Sequence, residues 1–219
     1  MKKKRDGVMA YYPVSLNVRG RKCVVVGGGE VAQRKVKILL EHGADVEVIS
    51  PALCSELGQL AESGEIGVRN RAYETGDLDG SFLAIAATGA AVINRQVVAE
   101  ARSKQILVNV VDDTEYSDFI VPSYLRRDGL TIAVSTSGQS PALARKIRTR
   151  LEEEITDQYG TLTRLIGEVR AETKREGMKI ADDQWQESID IDLLLELLKK
   201  GEIEKAQSIL LSRLKEKQD

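Results

Sequence analysis

Apolar positions along this chain fall into short continuous runs separated by stretches of helical period. The first run, Lys22–Val26, meets glycines at 27–29, and residues 31–41 then repeat at helical spacing until His42-Gly43 stops them. Asp45–Ile49 alternates as a second strand and is broken by Ser50-Pro51. Residues 52–63 read as a helix, and 67–73 alternate as a third strand. Residues 82–87 and 107–111 are almost wholly apolar, as strands buried on both faces should be, with a helix over 94–102 between them. Residues 12–18 read as a short strand or an entry segment. This βαβαβ alternation predicts a doubly wound parallel sheet with ligands at the carboxyl ends of its strands.

After Asp112 the rhythm changes. Residues 119–121 and Leu130–Val134 read as strands flanking the turn Arg126-Arg127-Asp128-Gly129. Ser140 is a good N-cap and Pro141 a good first residue for a helix over 142–155. From Thr156 onward the chain is charged and helical, with apolar faces at 193–198 and 209–214. The expected architecture is α/β: a Rossmann-type sheet over 1–113, a small α+β segment over 114–150 and a helical C-terminal domain over 151–219.

The glycines carry the first chemistry. Gly27-x-Gly29-x-x-Ala32 follows a strand and opens a helix, the context a dinucleotide fingerprint needs. Gly27 permits the tight turn, Gly29 lets backbone approach a pyrophosphate, and Ala32 keeps helix and strand close. The free N–H groups at the helix start face the anion. The bland alternative is an ordinary βα turn. A NAD-binding Rossmann unit often carries an acid at the end of its second strand for the ribose, but Ser50 stands there. Pro51-Ala52 follows, with no arginine for a 2′-phosphate, so NAD is the expected cofactor.

Small polar residues, Ser50, Thr88, Asn109 and Asp112, mark the other strand ends. Each is either a turn residue or part of a ligand edge. Asp112 is the candidate for proton chemistry beside a hydride acceptor; its alternative is a turn cap. Residues 135–140 offer hydroxyls at a helix N-terminus, suited to an anionic substrate. Between Arg126 and Arg150 six basic residues face one acid, Asp128. A polycarboxylate ligand or a solvated helix face would explain that excess equally.

Composition narrows the classes. The chain has 219 residues, 42% hydrophobic and 30% charged, with net charge −2, which argues against a nucleic-acid partner. Cys23 and Cys54 make no metal spacing, and reduced thiols in a cytoplasmic chain are expected. His42 is the only histidine, expected to cap a helix, so no histidine metal cluster is expected. No apolar stretch approaches the roughly 20 residues of a membrane span. The basic start lacks the apolar core of a signal peptide and reads as an extension, with Met9 as an alternative start.

Five blocks then occur in one order: Tyr12-Pro13-Val14; the run from Val26 through Gly27-Gly28-Gly29-Glu30-Val31-Ala32 to Gln33-Arg34-Lys35; 84–88; 109–112; and 135–145 with its Ser140-Pro141-Ala142-Leu143-Ala144-Arg145 core. Together they resemble the precorrin-2 dehydrogenase family of sirohaem synthesis, which includes the N-terminal half of sirohaem synthase. The resemblance spans about residues 11–151; the tail resembles the family only in being helical. It implies NAD-dependent oxidation of the tetrapyrrole precorrin-2 to sirohydrochlorin. Cofactor contacts are implied at Gly27, Gly29, Glu30, Val31, Pro51 and Ala52, with Thr88 and Asn109 at the cleft. Asp112 takes the family's important aspartate. Ser135, Thr136, Ser140 and Arg145 are implied substrate contacts, Thr136 standing where the family has a serine. The resemblance also implies a homodimer formed through the segment after the Rossmann unit. Some members insert Fe²⁺ as well, so a bifunctional dehydrogenase and ferrochelatase is an alternative. With no methyltransferase segment, this chain is not expected to make precorrin-2. Two other classes compete: a NAD-sensing module without chemistry, and a structural dimer that delivers tetrapyrrole to a separate chelatase.

Overall fold

The computed structural model describes residues 11–216, so the basic start and Met9 lie outside the described residues. The chain divides into two compact units, Met1–Val121 and Pro122–Asp219.

In the first unit five parallel strands lie in the order β3-β2-β1-β4-β5: β1 Lys22–Val26, β2 Asp45–Ile49, β3 Gly67–Arg69, β4 Leu83–Ala86 and β5 Leu107–Val110. β1 is central because Cys23–Val26 are buried on both faces. Helices α1 (Glu30–Glu41) and α2 (Ser55–Glu62) cover one face, where Ala32, Val36, Leu39 and Leu57 join Val25 and Ile85. α3 (Ala91–Ser103) covers the other, where Val97, Val98 and Ala101 join Val24 and Val108. Strand order reverses between β1 and β4, and at such a switch point the crevice outside the strand ends is the place for a ligand. The doubly wound reading of the sequence is therefore correct.

Some boundaries differ, each for a local reason. Residues 12–18 form no strand, and Tyr12 and Val14 remain 85% and 60% exposed. α2 starts at Ser55 rather than 52, because Cys54 donates its N–H to the Gly28 carbonyl at 2.7 Å and the preceding residues wrap the glycine turn. β3 stops at Arg69, where Arg71 N–H turns back to the Arg69 carbonyl (2.9 Å). Residues 119–121 form no strand: the segment is fixed to β5 partly through side chains, the Asp118 carboxylate accepting the Val108 N–H and the Phe119 carbonyl accepting the Asn109 amide.

The second unit begins with an antiparallel hairpin, β6 (Ser123–Arg127) and β7 (Leu130–Val134), turned at Asp128-Gly129 with Asp128 at φ +51°. α4 (Pro141–Glu154) follows, its first turn capped by Ser140, whose Oγ accepts the Leu143 N–H at 3.2 Å. Helices α5 (Asp157–Arg175), α6 (Asp182–Ser188), α7 (Ile191–Lys199) and α8 (Ile203–Glu216) enclose a leucine core around Leu162, Leu165, Leu194 and Leu210. Gly160 lets α5 approach the hairpin, since a Cβ there would lie 2.8 Å from the Arg127 carbonyl. Among the described residues no helix is long and apolar enough to cross a membrane.

Candidate functional site

The turn between β1 and α1 shows three glycines with three different reasons. Gly27 has φ +126°, donates its N–H to the Ile49 carbonyl (2.9 Å), and would drive a Cβ into the Ala87 carbonyl beyond β4. Gly28, a variable position in the fingerprint, is equally constrained: a Cβ would overlap the Ala52 carbonyl and lie 2.7 Å from Ser50 Oγ. Gly29 is the opposite case, with nothing within 4 Å of its absent side chain. It is the N-cap of α1 and makes no side-chain cap bond, so the first-turn N–H groups are left for an external acceptor. Backbone that needs glycine at two positions and opens at the third fits a dinucleotide pyrophosphate.

The loop after β2 closes against this turn. Ser50 Oγ donates to the Ala52 carbonyl (2.7 Å), and the Asn70 amide donates to the carbonyls of Ser50 (3.2 Å) and Pro51 (3.3 Å). Exposed Glu30, half-buried Val31 and exposed Pro51 and Ala52 thus belong to one rim. Asn70 was not anticipated from sequence, because its role depends on the neighbouring strand. Thr88 holds the start of α3: its hydroxyl donates to Asn94 Oδ1 (2.7 Å), and Asn94 Nδ2 donates to the Thr88 carbonyl (3.1 Å). Asn109 is buried and donates to the Phe119 carbonyl (3.0 Å), while its Oδ1 has no partner. A buried amide oxygen left unsatisfied costs about 1–3 kcal/mol unless something donates to it.

Asp112 lies beside these groups. The ends of β1, β4 and β5 are laced together, Ala87 N–H to the Val26 carbonyl (2.8 Å) and Val111 N–H to the Ala86 carbonyl (3.0 Å). That puts Asp112 about two strand spacings, roughly 10 Å, from the glycine turn. Asp113 donates its N–H to the Val110 carbonyl (3.2 Å), closing a tight turn in which Asp112 adopts φ +59°. The capping role belongs to Asp113, whose carboxylate accepts the N–H groups of Glu115 (3.1 Å) and Tyr116 (3.3 Å). The Asp112 carboxylate is exposed and takes no hydrogen bond among the described residues. It lines a cleft of about 250 Å³ with Asn94, Arg95, Val111 and Tyr116. Across the sheet, Lys35 on α1 interacts electrostatically with Asp112; burial, and secondarily Arg34, lower the Lys35 pKa, and Asp112 opposes them.

A larger opening, about 530 Å³, lies at the opposite edge of the sheet between Gly20, Lys22, Ser81 and Lys104. It faces the amino ends of the strands, away from the ligand edge of this fold.

In the second unit, the 135–140 loop is tied by its own hydroxyls. Ser135 Oγ accepts the Ser137 N–H (3.1 Å), Thr136 Oγ1 accepts the Ser140 N–H (3.0 Å), and Ser140 Oγ caps α4. Ser137 sits at φ +52°. All three oxygens act only as acceptors among the described residues, so each keeps its proton for an outside acceptor such as a carboxylate. Arg145 is exposed on α4.

A family model described as NAD(P)-binding matches residues 14–123, and one described as the central part of a sirohaem biosynthesis protein matches 127–154. A siroheme synthase of Photorhabdus laumondii is 38% identical over 210 residues, covering 95% of this chain and 44% of the relative. A siroheme synthase of Chromobacterium violaceum is 46% identical over 166 residues, covering 76% of this chain and 35% of the relative. The chain therefore spans less than half the length of these curated relatives. Among solved structures, SirC, a precorrin-2 dehydrogenase, superposes with a TM-score of 0.73 at 27% identity, covering 90% of this chain and 99% of that one.

Proposed function

This chain belongs to the family of precorrin-2 dehydrogenases and sirohaem synthase N-terminal domains, and on that premise we propose that it oxidises precorrin-2 to sirohydrochlorin with NAD. The observation that carries the proposal is the uncapped Asp112 carboxylate at the carboxyl edge of the sheet, beside a glycine turn open to a pyrophosphate.

In this reading the first-turn N–H groups of α1, from Glu30 and Val31 onward, hold the pyrophosphate, and Pro51 and Ala52 border the adenosine. Gly27 and Gly29 let the backbone approach. Asn109 Oδ1 offers a buried acceptor and Thr88 holds the cleft open by fixing α3. Bound NAD supplies a hydride acceptor. Oxidation of precorrin-2 by loss of two hydrogens, with NAD as the hydride acceptor, also releases a proton, and Asp112 is the base that takes it. NAD rather than NADP is favoured because Arg69 and Arg71, which follow the rim, are clamped by Asp77 and by Glu47. Ser135, Thr136, Ser140 and Arg145 are proposed substrate contacts of the second unit, through hydroxyl protons and a guanidinium suited to carboxylates. A cytoplasmic homodimer completes the reading; the free thiols of Cys23 and Cys54 support a reducing compartment.

The test is anaerobic incubation of the protein with precorrin-2, with and without NAD, followed by the sirohydrochlorin spectrum. Product that requires NAD is expected. Failure with both NAD and NADP would refute the dehydrogenase and favour a sensor. Iron added afterwards tests the second reading, which the name siroheme synthase on the relatives favours. An enzyme-dependent conversion to sirohaem would add the chelatase.

A further inference from the structure

We propose that Lys35 and Arg95 form a bracket of two cations, one on each side of Asp112, that holds carboxylate groups of the substrate. The inference rests on the dehydrogenase reading and adds to it the means by which the first unit binds an anionic macrocycle.

Three observations converge. α1 and α3 pack on opposite faces of the sheet, so residues on them reach its carboxyl edge from opposite sides. On α1, Lys35 flanks the buried stripe Ala32, Val36 and Leu39, and a helical side chain points back toward the N-terminus. That direction carries its ammonium toward the ligand edge, where it meets the field of Asp112. On α3, Arg95 lies in the first turns and lines the 250 Å³ cleft together with Asp112.

Neither cation makes a hydrogen bond or ion pair among the described residues. Their situation contrasts with Lys22, Arg69, Arg71 and Lys104, each tied to Glu47, Asp77, Asp79 or Glu100. For Lys35 the contrast is sharper because it is half-buried, and an ammonium partly withdrawn from water with only the field of Asp112, and no anion in contact, gains from one that arrives. Burial accordingly depresses its pKa, which a bound carboxylate would reverse.

Charge balance gives the physical need. Asp112 and Asp113 place two negative charges where a polycarboxylate must approach, and repulsion alone would keep it away. Two cations offset them. Their separation on opposite faces suits a ligand whose carboxylates are spread around a ring, rather than one phosphate.

The experiment uses the full chain with Lys35→Met, Arg95→Met and the double variant, and with Lys35→Arg and Arg95→Lys as conservative exchanges. Lys37→Met, an exposed charge loss on the same helix, controls for net charge. Sirohydrochlorin affinity is read by absorbance titration, NAD affinity by fluorescence, and KM and kcat by the NAD-dependent assay. Each methionine variant is expected to weaken tetrapyrrole binding and raise KM about tenfold, with NAD affinity and kcat nearly unchanged. The double variant should weaken binding further, and the conservative exchanges should restore most of it. Unchanged sirohydrochlorin affinity in the double variant would overturn the bracket, as would a loss of NAD affinity equal to the loss of tetrapyrrole affinity. Those outcomes with an active wild type leave the dehydrogenase standing; a wild type without NAD-dependent turnover removes both.

Discussion

Two neighbouring aspartates separate cleanly by what they accept. Asp113 takes two backbone N–H groups and shapes the turn, whereas Asp112 takes none and is held at φ +59°. A left-handed conformation costs a typical residue about 1–2 kcal/mol, and asparagine tolerates it as aspartate does. Asp112→Asn should therefore fold and bind NAD as the wild type does, yet lose at least about a hundredfold in turnover, as removal of a general base does. Steady-state rates beside NAD titration check this, and a variant with unimpaired kcat would take Asp112 out of the chemistry. The glycines separate in the same way. Gly28→Ala places a Cβ on the Ala52 carbonyl and should lower the melting temperature, whereas Gly29→Asp, facing open space, should leave melting unchanged while abolishing NAD binding. Thermal melts with and without NAD distinguish the two. The strand-to-glycine transition and the Asp112 position could be read in the sequence because both are local. The roles of Gly28, Asn70 and Asn94 could not, since each depends on an atom from another segment: Ala52, the Ser50-Pro51 backbone and Thr88.

At the scale of elements, a polar network fixes the crossover from β3 to β4. Asp77, 3% exposed, accepts from Arg69 at 2.7 Å and from Arg71 at 2.6 Å, while buried Glu100 on α3 accepts from Tyr73, Lys104 and the Gly76 and Leu78 N–H groups. The Arg71 hydrogen bond holds the Asp77 carboxyl down at about 2, against the opposing effect of burial. Burial pushes Glu100 up, but its hydrogen bonds from Lys104 and Tyr73 outweigh this and leave it lowered. For Asp77 the folded value lies below the ordinary 3.8, so its contribution is complete above that value and lost as pH falls toward 2. Asp77→Ala, which removes a buried acceptor from Arg69, Arg71 and the Glu74 N–H while Arg69 keeps Glu47, should cost about 1–3 kcal/mol at neutral pH. It should also flatten the loss of stability between about pH 4 and pH 2, as urea melts across that range would register; a parallel, undiminished acid slope would contradict it. Periodicity located every strand of the parallel sheet but misjudged ends where hydrogen bonds come from side chains. Residues 67–73 alternate throughout, yet the ladder stops at Arg69 because Arg69 and Arg71 both turn to Asp77. Apolar residues 119–121 lack a ladder for a similar reason, since the Asp118 carboxylate and the Asn109 amide make the bonds there.

At the scale of the whole molecule, the second unit raises the question of association. Its sheet has only two strands, β6 and β7, and such a sheet is marginal without further cover. On the helix that follows, Leu143 and Ile147 lie one turn apart and stay 50% and 38% exposed. Two apolar side chains on one face beside an unextended sheet support the proposed homodimer, because pairing two copies covers both features at once. Sedimentation equilibrium should then give twice the 24.1 kDa of one chain. Leu143→Asp with Ile147→Asp should return the mass to that of one chain. Exposed substitutions of this kind change stability by only about 0.5 kcal/mol in a free monomer, so a shift in mass without loss of helical signal locates the contact on α4. A wild-type chain that sediments as a monomer at micromolar concentration would exclude the homodimer. A variant that stays dimeric would move the contact off this face, most simply to the open edges of β6 and β7.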